Sequence, residues 1–112
     1  MELCQSTTKE NLLRAFAGES QARNRYDFAA QACKEKKLYV LEALFKYTAG
    51  QEKEHAEIFY NHLVKGGCEN VTITANYPVD LTQEPLKLLE LAQQHELDEF
   101  GDIYPAFADK AQ

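Results

Sequence analysis

Carboxylates and a histidine lie at positions of this chain where a helical core should be apolar. Alternating steps of three and four residues, the spacing of the buried seam of a bundled helix, define three seams. The first consists of Leu12, Phe16, Glu19, Arg23, Tyr26, Ala30 and Cys33, the second of Leu41, Phe45, Thr48, Glu52, His55, Phe59 and His62, and the third of Leu89, Ala92, Glu96, Glu99 and Ile103. Each seam begins apolar, turns acidic in its middle and then returns to apolar or aromatic residues. The carboxylates and the histidine in the middle of the three seams are Glu19, Glu52, His55, Glu96 and Glu99. Carboxylates buried at one level repel each other unless a cation lies among them, so the pattern predicts a metal site.

Glu52 and His55 form an E-x-x-H step, which places both side chains on one helical face. One Glu per helix together with E-x-x-H is the ligand set of dinuclear carboxylate sites in four-helix bundles. Mixed oxygen and imidazole ligation suits iron or manganese, and zinc also fits. Each piece alone is common on exposed helices, so the competing interpretation is a helical domain whose acidic residues face water.

Two tyrosines, Tyr26 and Tyr104, have two interpretations. Each is a plain core aromatic residue, or its hydroxyl hydrogen-bonds to a metal-bound carboxylate. Arg23 lies on the first seam, where we expect its side chain to extend into solvent. His62 and His95 are expected to be ordinary polar residues.

Three long helices must position these residues within one domain of 112 residues. Helix A is predicted over about residues 8–35 and helix B over about 38–65, where a Gly-Gly pair ends it. Residues 66–82 are predicted to form an extended crossover, because its single short β-branched run has no second strand to pair with. Helix C is predicted over about residues 83–112.

Helix C is expected to begin with Thr82 or Asp80 as its cap and with Pro85 in its first turn. Its last residues, 107–112, are good helix sequence without a stop signal. Three amphipathic helices leave an apolar groove where a fourth should lie. We therefore expect an all-α four-helix bundle that is completed by dimerisation, by helix exchange or by a missing C-terminal helix.

The composition excludes several classes of protein. The net charge of −6 disfavours nucleic acid and anionic membranes as partners, and a mean hydropathy of −0.50 disfavours a transmembrane helix. The N-terminus has no basic or apolar region of a secretion signal, so a cytoplasmic location is expected. Cys4, Cys33 and Cys68 include no C-x-x-C pair and are predicted to be free thiols.

Three segments of the sequence resemble signatures of the rubrerythrin family. Residues 11–26, NLLRAFAGESQARNRY, are similar to the first-helix signature, and residues 52–56, EKEHA, to the ligand motif of the second helix. Residues 96–105, with an E-x-x-E step followed by Ile-Tyr-Pro, resemble the third-helix signature. The likeness covers about residues 8–65 and 86–112.

The resemblance implies a ferritin-like bundle with two iron ions that reduces hydrogen peroxide to water in defence against oxidative stress. It implies that Glu99 gives way to His55 when one iron is reduced, and it matches Tyr26 and Tyr104 to tyrosines beside the site. By position, the metal ligands that it implies are Glu19, Glu52, His55, Glu96 and Glu99.

The sequence lacks two features of that family, a fourth helix with a second Glu-x-x-His-type motif and a C-terminal rubredoxin domain. We therefore expect an external electron donor such as a rubredoxin, and a homo-oligomer. In a dimer, two A–B hairpins would supply Glu19, Glu52 and His55 twice. Ferritin-like iron oxidation and storage is the alternative function, and a helical association module without enzymatic activity is the second alternative.

Overall fold

All the regular secondary structure in the described part of the chain is α-helical. The computed structural model describes residues 7–98, with side chains up to residue 95. Helix α1 spans Thr7–Glu35, α2 spans Tyr39–Lys65 and α3 spans Pro85–Asp98, and no strand occurs among these residues. The all-α prediction is confirmed. The part of predicted helix C beyond residue 98 lies outside the described residues.

Helices α1 and α2 form an antiparallel hairpin within the first of two compact units, which divide after Pro78. Phe16, near the start of α1, lies 5.2 Å from Tyr60, near the end of α2, measured between ring centroids. Tyr26 lies 6.2 Å from Phe45 at the other end of the hairpin. These aromatic pairs fix the register in which the middle of α1 faces the middle of α2.

The turn between α1 and α2 is a Schellman motif built without glycine. The Leu38 amide donates to the Cys33 carbonyl at 2.9 Å, and the Lys37 amide donates to the Lys34 carbonyl at 3.0 Å. Lys37 takes a φ of 61°, in the left-handed region that favours glycine. The hairpin turn therefore contains backbone strain at one lysine.

Lys37→Gly is expected to raise the free energy of unfolding by about 1 kcal/mol, because glycine adopts this φ without the clash of a Cβ. Urea denaturation measures the change. Lys36→Gly is the matched control, since it removes the same charge from the neighbouring position, whose φ is not positive. Equal effects of the two substitutions would show that Lys37 is not strained.

Helix α2 ends in a second Schellman motif, in which glycine supplies the left-handed residue. Gly67 has a φ of 70°, its amide donates to the Val64 carbonyl, and the Cys68 amide donates to the Leu63 carbonyl at 3.1 Å. The Gly-Gly stop predicted from the sequence is thus the actual end of the helix. Cys68 is disulfide-bonded, so the prediction of a free thiol is wrong there; Cys33 is free and buried.

The crossover after α2 is extended, and its first part is fastened to α1. The Tyr77 hydroxyl donates to the Arg14 carbonyl at 2.8 Å, and Arg14 Nε donates to the Thr74 carbonyl at 3.2 Å. A Cβ added at Gly18 would lie 3.4 Å from the Tyr77 ring. The small residue at position 18 thus lets the crossover lie close against α1, one residue before Glu19.

The second unit begins at Val79 and contains α3. Glu84 caps this helix, because its carboxylate accepts hydrogen bonds from the Leu86 and Lys87 amides at 3.3 and 2.9 Å. Thr82 Oγ1 accepts from the Glu84 amide instead of capping the helix itself, so the prediction of Thr82 or Asp80 as cap is corrected. Pro85 occupies the first helical position, as predicted.

His95 and Asp80 also pair within the second unit. His95 Nε2 lies 3.2 Å from Asp80 Oδ1, so this histidine fastens α3 to the crossover that precedes it. None of the described helices is both long enough and apolar enough to cross a bilayer.

Candidate metal centre

Glu19, Glu52 and His55 converge in the middle of the hairpin. One ligand atom from each residue lies within 4.8 Å of the other two. His55 Nδ1 is 3.6 Å from Glu19 Oε2 and 4.0 Å from Glu52 Oε2. The Glu19 and Glu52 side chains are 4% and 8% exposed, whereas the His55 side chain is 55% exposed. The cluster therefore has two buried carboxylates beneath an imidazole that is open to solvent.

The core face of α1 places Glu19 in this cluster. The residues of the predicted first seam that become buried are Leu12, Glu19, Tyr26, Ala30 and Cys33. Small residues next to the seam, Ala22 and Ala29, are buried as well, and they let α2 approach closely. Arg23 is half-buried and pairs with Asp27 at 3.6 Å, so its side chain points along the helix surface and not into the cluster.

The core face of α2 is rotated from its predicted seam. The buried residues of α2 are Glu42, Phe45, Ala49, Glu52, Ala56 and Leu63. Phe45 and Glu52 belong to the predicted seam, but His55 and His62 are exposed. Only the side of the helix that contacts α1 is buried, and His55 lies at the edge of that side. This position explains why the His55 side chain lies close to Glu19 although much of it is exposed to solvent.

Tyr26 and Phe45 line the interior on the side of the cluster towards the turn. Both are almost completely buried, and their rings are tilted by 35° to each other. Arg25 lies over the Tyr26 ring, with its guanidinium carbon 5.7 Å from the ring centroid. Sequence reasoning found Tyr26 but missed that Arg25 packs against it, although the two are adjacent in the chain.

Glu42 is a buried acid that sequence reasoning did not single out. It forms an ion pair with Lys46 at 2.9 Å, one helical turn further along α2. Burial raises the pKa of the nearby Cys33 thiol, and the negative charge of Glu42 raises it further. Cys33 is therefore a protonated core residue at neutral pH.

The donor set of the cluster fits a divalent transition metal. Two carboxylate oxygens and one imidazole nitrogen are hard and intermediate ligands of the kind that iron and manganese take. Two carboxylates also balance the charge of one divalent cation, which removes the repulsion between them. Glu19 and Glu52 already lie close enough to share one ion with His55.

The remaining predicted site residues are not part of the described cluster. Glu96 belongs to α3, but its side chain lies outside the described residues, as do Glu99 and Tyr104. Their predicted roles stay predictions. The three-residue cluster on α1 and α2 is the part of the predicted ligand set that the structure brings together.

Comparison with known proteins identifies the family. The sequence model of the family described as rubrerythrin matches residues 10–112. The chain is 43% identical over 107 residues to a rubrerythrin of Porphyromonas gingivalis, covering 96% of this chain and 52% of the relative. It is 42% identical to a rubrerythrin of Clostridium perfringens, covering 93% and 54%, and 37% identical to one of Nitratidesulfovibrio vulgaris, covering 92% and 52%.

The chain thus spans about half the length of the curated relatives that it matches. The match includes all of α1, α2 and α3 except the first residues of α1. With its hairpin of two long helices, its E-x-x-H step and its buried glutamates, the chain belongs to the rubrerythrin family.

Proposed function

We propose that this chain is the ligand-bearing part of a non-haem di-iron peroxide reductase of the rubrerythrin type. The observation that carries the proposal is the convergence of Glu19, Glu52 and His55 within 4.8 Å inside the hairpin. Two carboxylates buried side by side repel each other unless a cation lies between them, so a bound metal accounts for this arrangement better than a structural ion pair does. Family membership supports iron as the metal.

Glu19 and Glu52 would hold the cations from the buried side, and His55 would complete the coordination from the solvent side. When bound, iron supplies Lewis acidity and the two electrons that cleavage of the peroxide O–O bond consumes. The packing of both helices fixes the two carboxylates, so they would hold a cation at little further cost in side-chain entropy. The exposed His55 leaves one side of the site open to a molecule as small as hydrogen peroxide.

The hairpin supplies the environment of the reaction. Phe45 and Tyr26 exclude water on one side, and Phe16 packs against Tyr60 on the other. Reduction of one hydrogen peroxide to two waters takes two electrons and two protons. We assign the proton transfers to the site carboxylates and to the Tyr26 hydroxyl. The electrons would come from an external one-electron donor, such as a rubredoxin.

Anaerobic loading with Fe(II), followed by peroxide in the presence of a reductant, tests the activity. We expect peroxide to be consumed over many turnovers, with iron remaining bound. Tyr26→Phe is expected to retain the iron and to slow turnover by about 10-fold or more, because it removes a hydroxyl and keeps the buried ring.

Tyr39→Phe is the matched control, since it removes a hydroxyl from a largely exposed tyrosine at the start of α2. Its turnover should equal that of the parent chain. Stoichiometric iron oxidation with oxygen and no steady peroxide turnover would replace the proposal with a ferritin-like function. Thermal stability that does not change on chelation would favour the association module.

A further inference from the structure

The crossover is fastened to α1 at the helical turn that precedes Glu19. The Tyr77 hydroxyl donates to the Arg14 carbonyl at 2.8 Å, and the Arg14 side chain donates in return to the Thr74 carbonyl at 3.2 Å. The two bonds therefore run in opposite directions between the same two segments. We call residues 74–77 the strap, because they hold one turn of α1 from the side of the crossover.

The strap contacts α1 at Gly18, the residue directly before Glu19. A Cβ added to Gly18 would lie 3.4 Å from Cε1 of the Tyr77 ring, which is contact distance. Within the helix, the Gly18 amide bonds to the carbonyl of residue 14, and that carbonyl also accepts the Tyr77 hydroxyl. The strap thus holds both ends of the turn that leads into Glu19.

This turn is the part of α1 that most needs support from outside the helix. Glycine is less favourable than alanine in a helix interior, because its backbone loses more conformational freedom. Directly after Gly18, the buried carboxylate of Glu19 lies within 4.8 Å of that of Glu52. The two carboxylates repel each other while no cation is bound. Bending of α1 at Gly18 would relieve the repulsion by moving Glu19 away, and the strap opposes that movement.

We propose that Tyr77 is a positioning residue of the metal site, which acts through α1 to keep Glu19 close to Glu52 and His55. The inference rests on the metal site proposed above. Tyr77 does not contact the ion; its hydroxyl and its ring fix the backbone from which Glu19 extends. The ligand atoms are therefore in place before an ion arrives. Because coupling between two binding events is reciprocal, a bound ion in turn strengthens the docking of the strap.

Tyr77→Phe tests the proposal, since it removes the hydroxyl, keeps the ring against Gly18 and changes no ligand. In an anaerobic titration of the full chain, we expect the dissociation constant for Fe(II) to rise by about 3–5-fold, at most the contribution of one hydrogen bond. Arg14→Met removes the bond to the Thr74 carbonyl and keeps the backbone carbonyl that Tyr77 binds. It should weaken Fe(II) binding in the same direction.

The visible absorption of bound Co(II) separates positioning from general stabilisation. At saturating Co(II), the d–d bands report the geometry of the ligands, whereas the melting temperature of the metal-free chain reports the strap as a structural contact. We expect Tyr77→Phe to change the d–d bands. A lower melting temperature with unchanged Fe(II) affinity and unchanged Co(II) bands would overturn the proposal, because Tyr77 would then stabilise the fold alone.

Tyr47→Phe is the matched control. The Tyr47 hydroxyl also takes part in a hydrogen bond, which it accepts from Gln51 Nε2 at 3.1 Å, and its ring is 67% exposed. Because that bond lies within α2, its loss should leave the Fe(II) affinity and the Co(II) bands as in the parent chain. A loss of affinity as large as that of Tyr77→Phe would overturn the proposal, since removal of any tyrosine hydroxyl would then have the same effect.

The same measurements separate this inference from the proposed function. If the loaded parent chain turns over peroxide and Tyr77→Phe keeps the parent affinity and bands, the inference fails and the function stands. If Tyr77→Phe weakens binding but the loaded parent chain does not reduce peroxide, the inference stands and the function is refuted. A parent chain that binds no Fe(II) would refute both, because there would be no metal site to position.

Discussion

Glu52→Ala is expected to abolish tight Fe(II) binding, raising the dissociation constant by at least about 100-fold. Glu52 is one of the two buried carboxylates of the cluster, and it also lies within 4.0 Å of His55. Without metal, the same substitution should not destabilise the chain. Removing one of two neighbouring buried charges relieves their repulsion, so the metal-free melting temperature should stay the same or rise.

Two measurements check this result, an anaerobic Fe(II) titration and thermal melts with and without metal. The parent chain should gain stability from Fe(II), and the variant should gain none. Glu54→Ala is the matched control, because Glu54 is an exposed acid two residues further along the same helix. Full iron occupancy in Glu52→Ala would refute the ligand assignment.

Phe45→Ala is expected to lower the free energy of unfolding by about 3–5 kcal/mol. Phe45 is almost completely buried between the two helices and contacts Tyr26. Removing its ring leaves a cavity that the two long helices can close only by shifting, and a shift would also change the distance between Glu19 and Glu52. Urea denaturation gives the change in the free energy of unfolding.

Val64→Ala is the control for Phe45→Ala, because Val64 is an exposed apolar residue of the same helix. It should change the free energy of unfolding by less than about 0.5 kcal/mol. Comparable losses from the two variants would mean that the α1–α2 interface does not dominate the stability of the chain.

Much of α1 could be predicted from the sequence, because its apolar residues repeat regularly. The predicted seam placed Leu12, Glu19, Tyr26 and Cys33 together, and all four are buried. Arg23 was expected to leave the core, and its ion pair with Asp27 keeps it on the surface. A helix that packs along its whole length against one neighbour gives a seam that periodicity alone can locate.

On α2 the buried face is rotated around the helix axis from the seam that the sequence predicts. A helix in a four-helix bundle is apolar towards two neighbours, and the predicted seam ran between the two directions. Phe45 and Glu52 face α1, but His55 and His62 lie on the exposed side of the helix. Periodicity shows how wide an apolar face is, but it does not show which part of that face a given neighbour covers.

Two local backbone features could not be predicted from the sequence either. Glu84 caps α3 although glutamate is a poorer cap than threonine or aspartate. The following residue, Pro85, fixes the start of the first turn where the long Glu84 side chain reaches the free amides. Lys37 takes a left-handed conformation that usually belongs to glycine. In both cases the geometry of the neighbouring helices decided the conformation, and residue preferences did not.

The hydrogen bond between Tyr77 and Arg14 has a consequence for the order in which the chain folds. It joins residues 63 positions apart, whereas the α1–α2 turn closes through bonds between residues three to five positions apart. Closing the longer loop costs more chain entropy and gains only a few contacts until both helices are in place. The turn at Lys36–Leu38 is therefore the natural starting point, and the crossover docks as a late event on a hairpin that already exists.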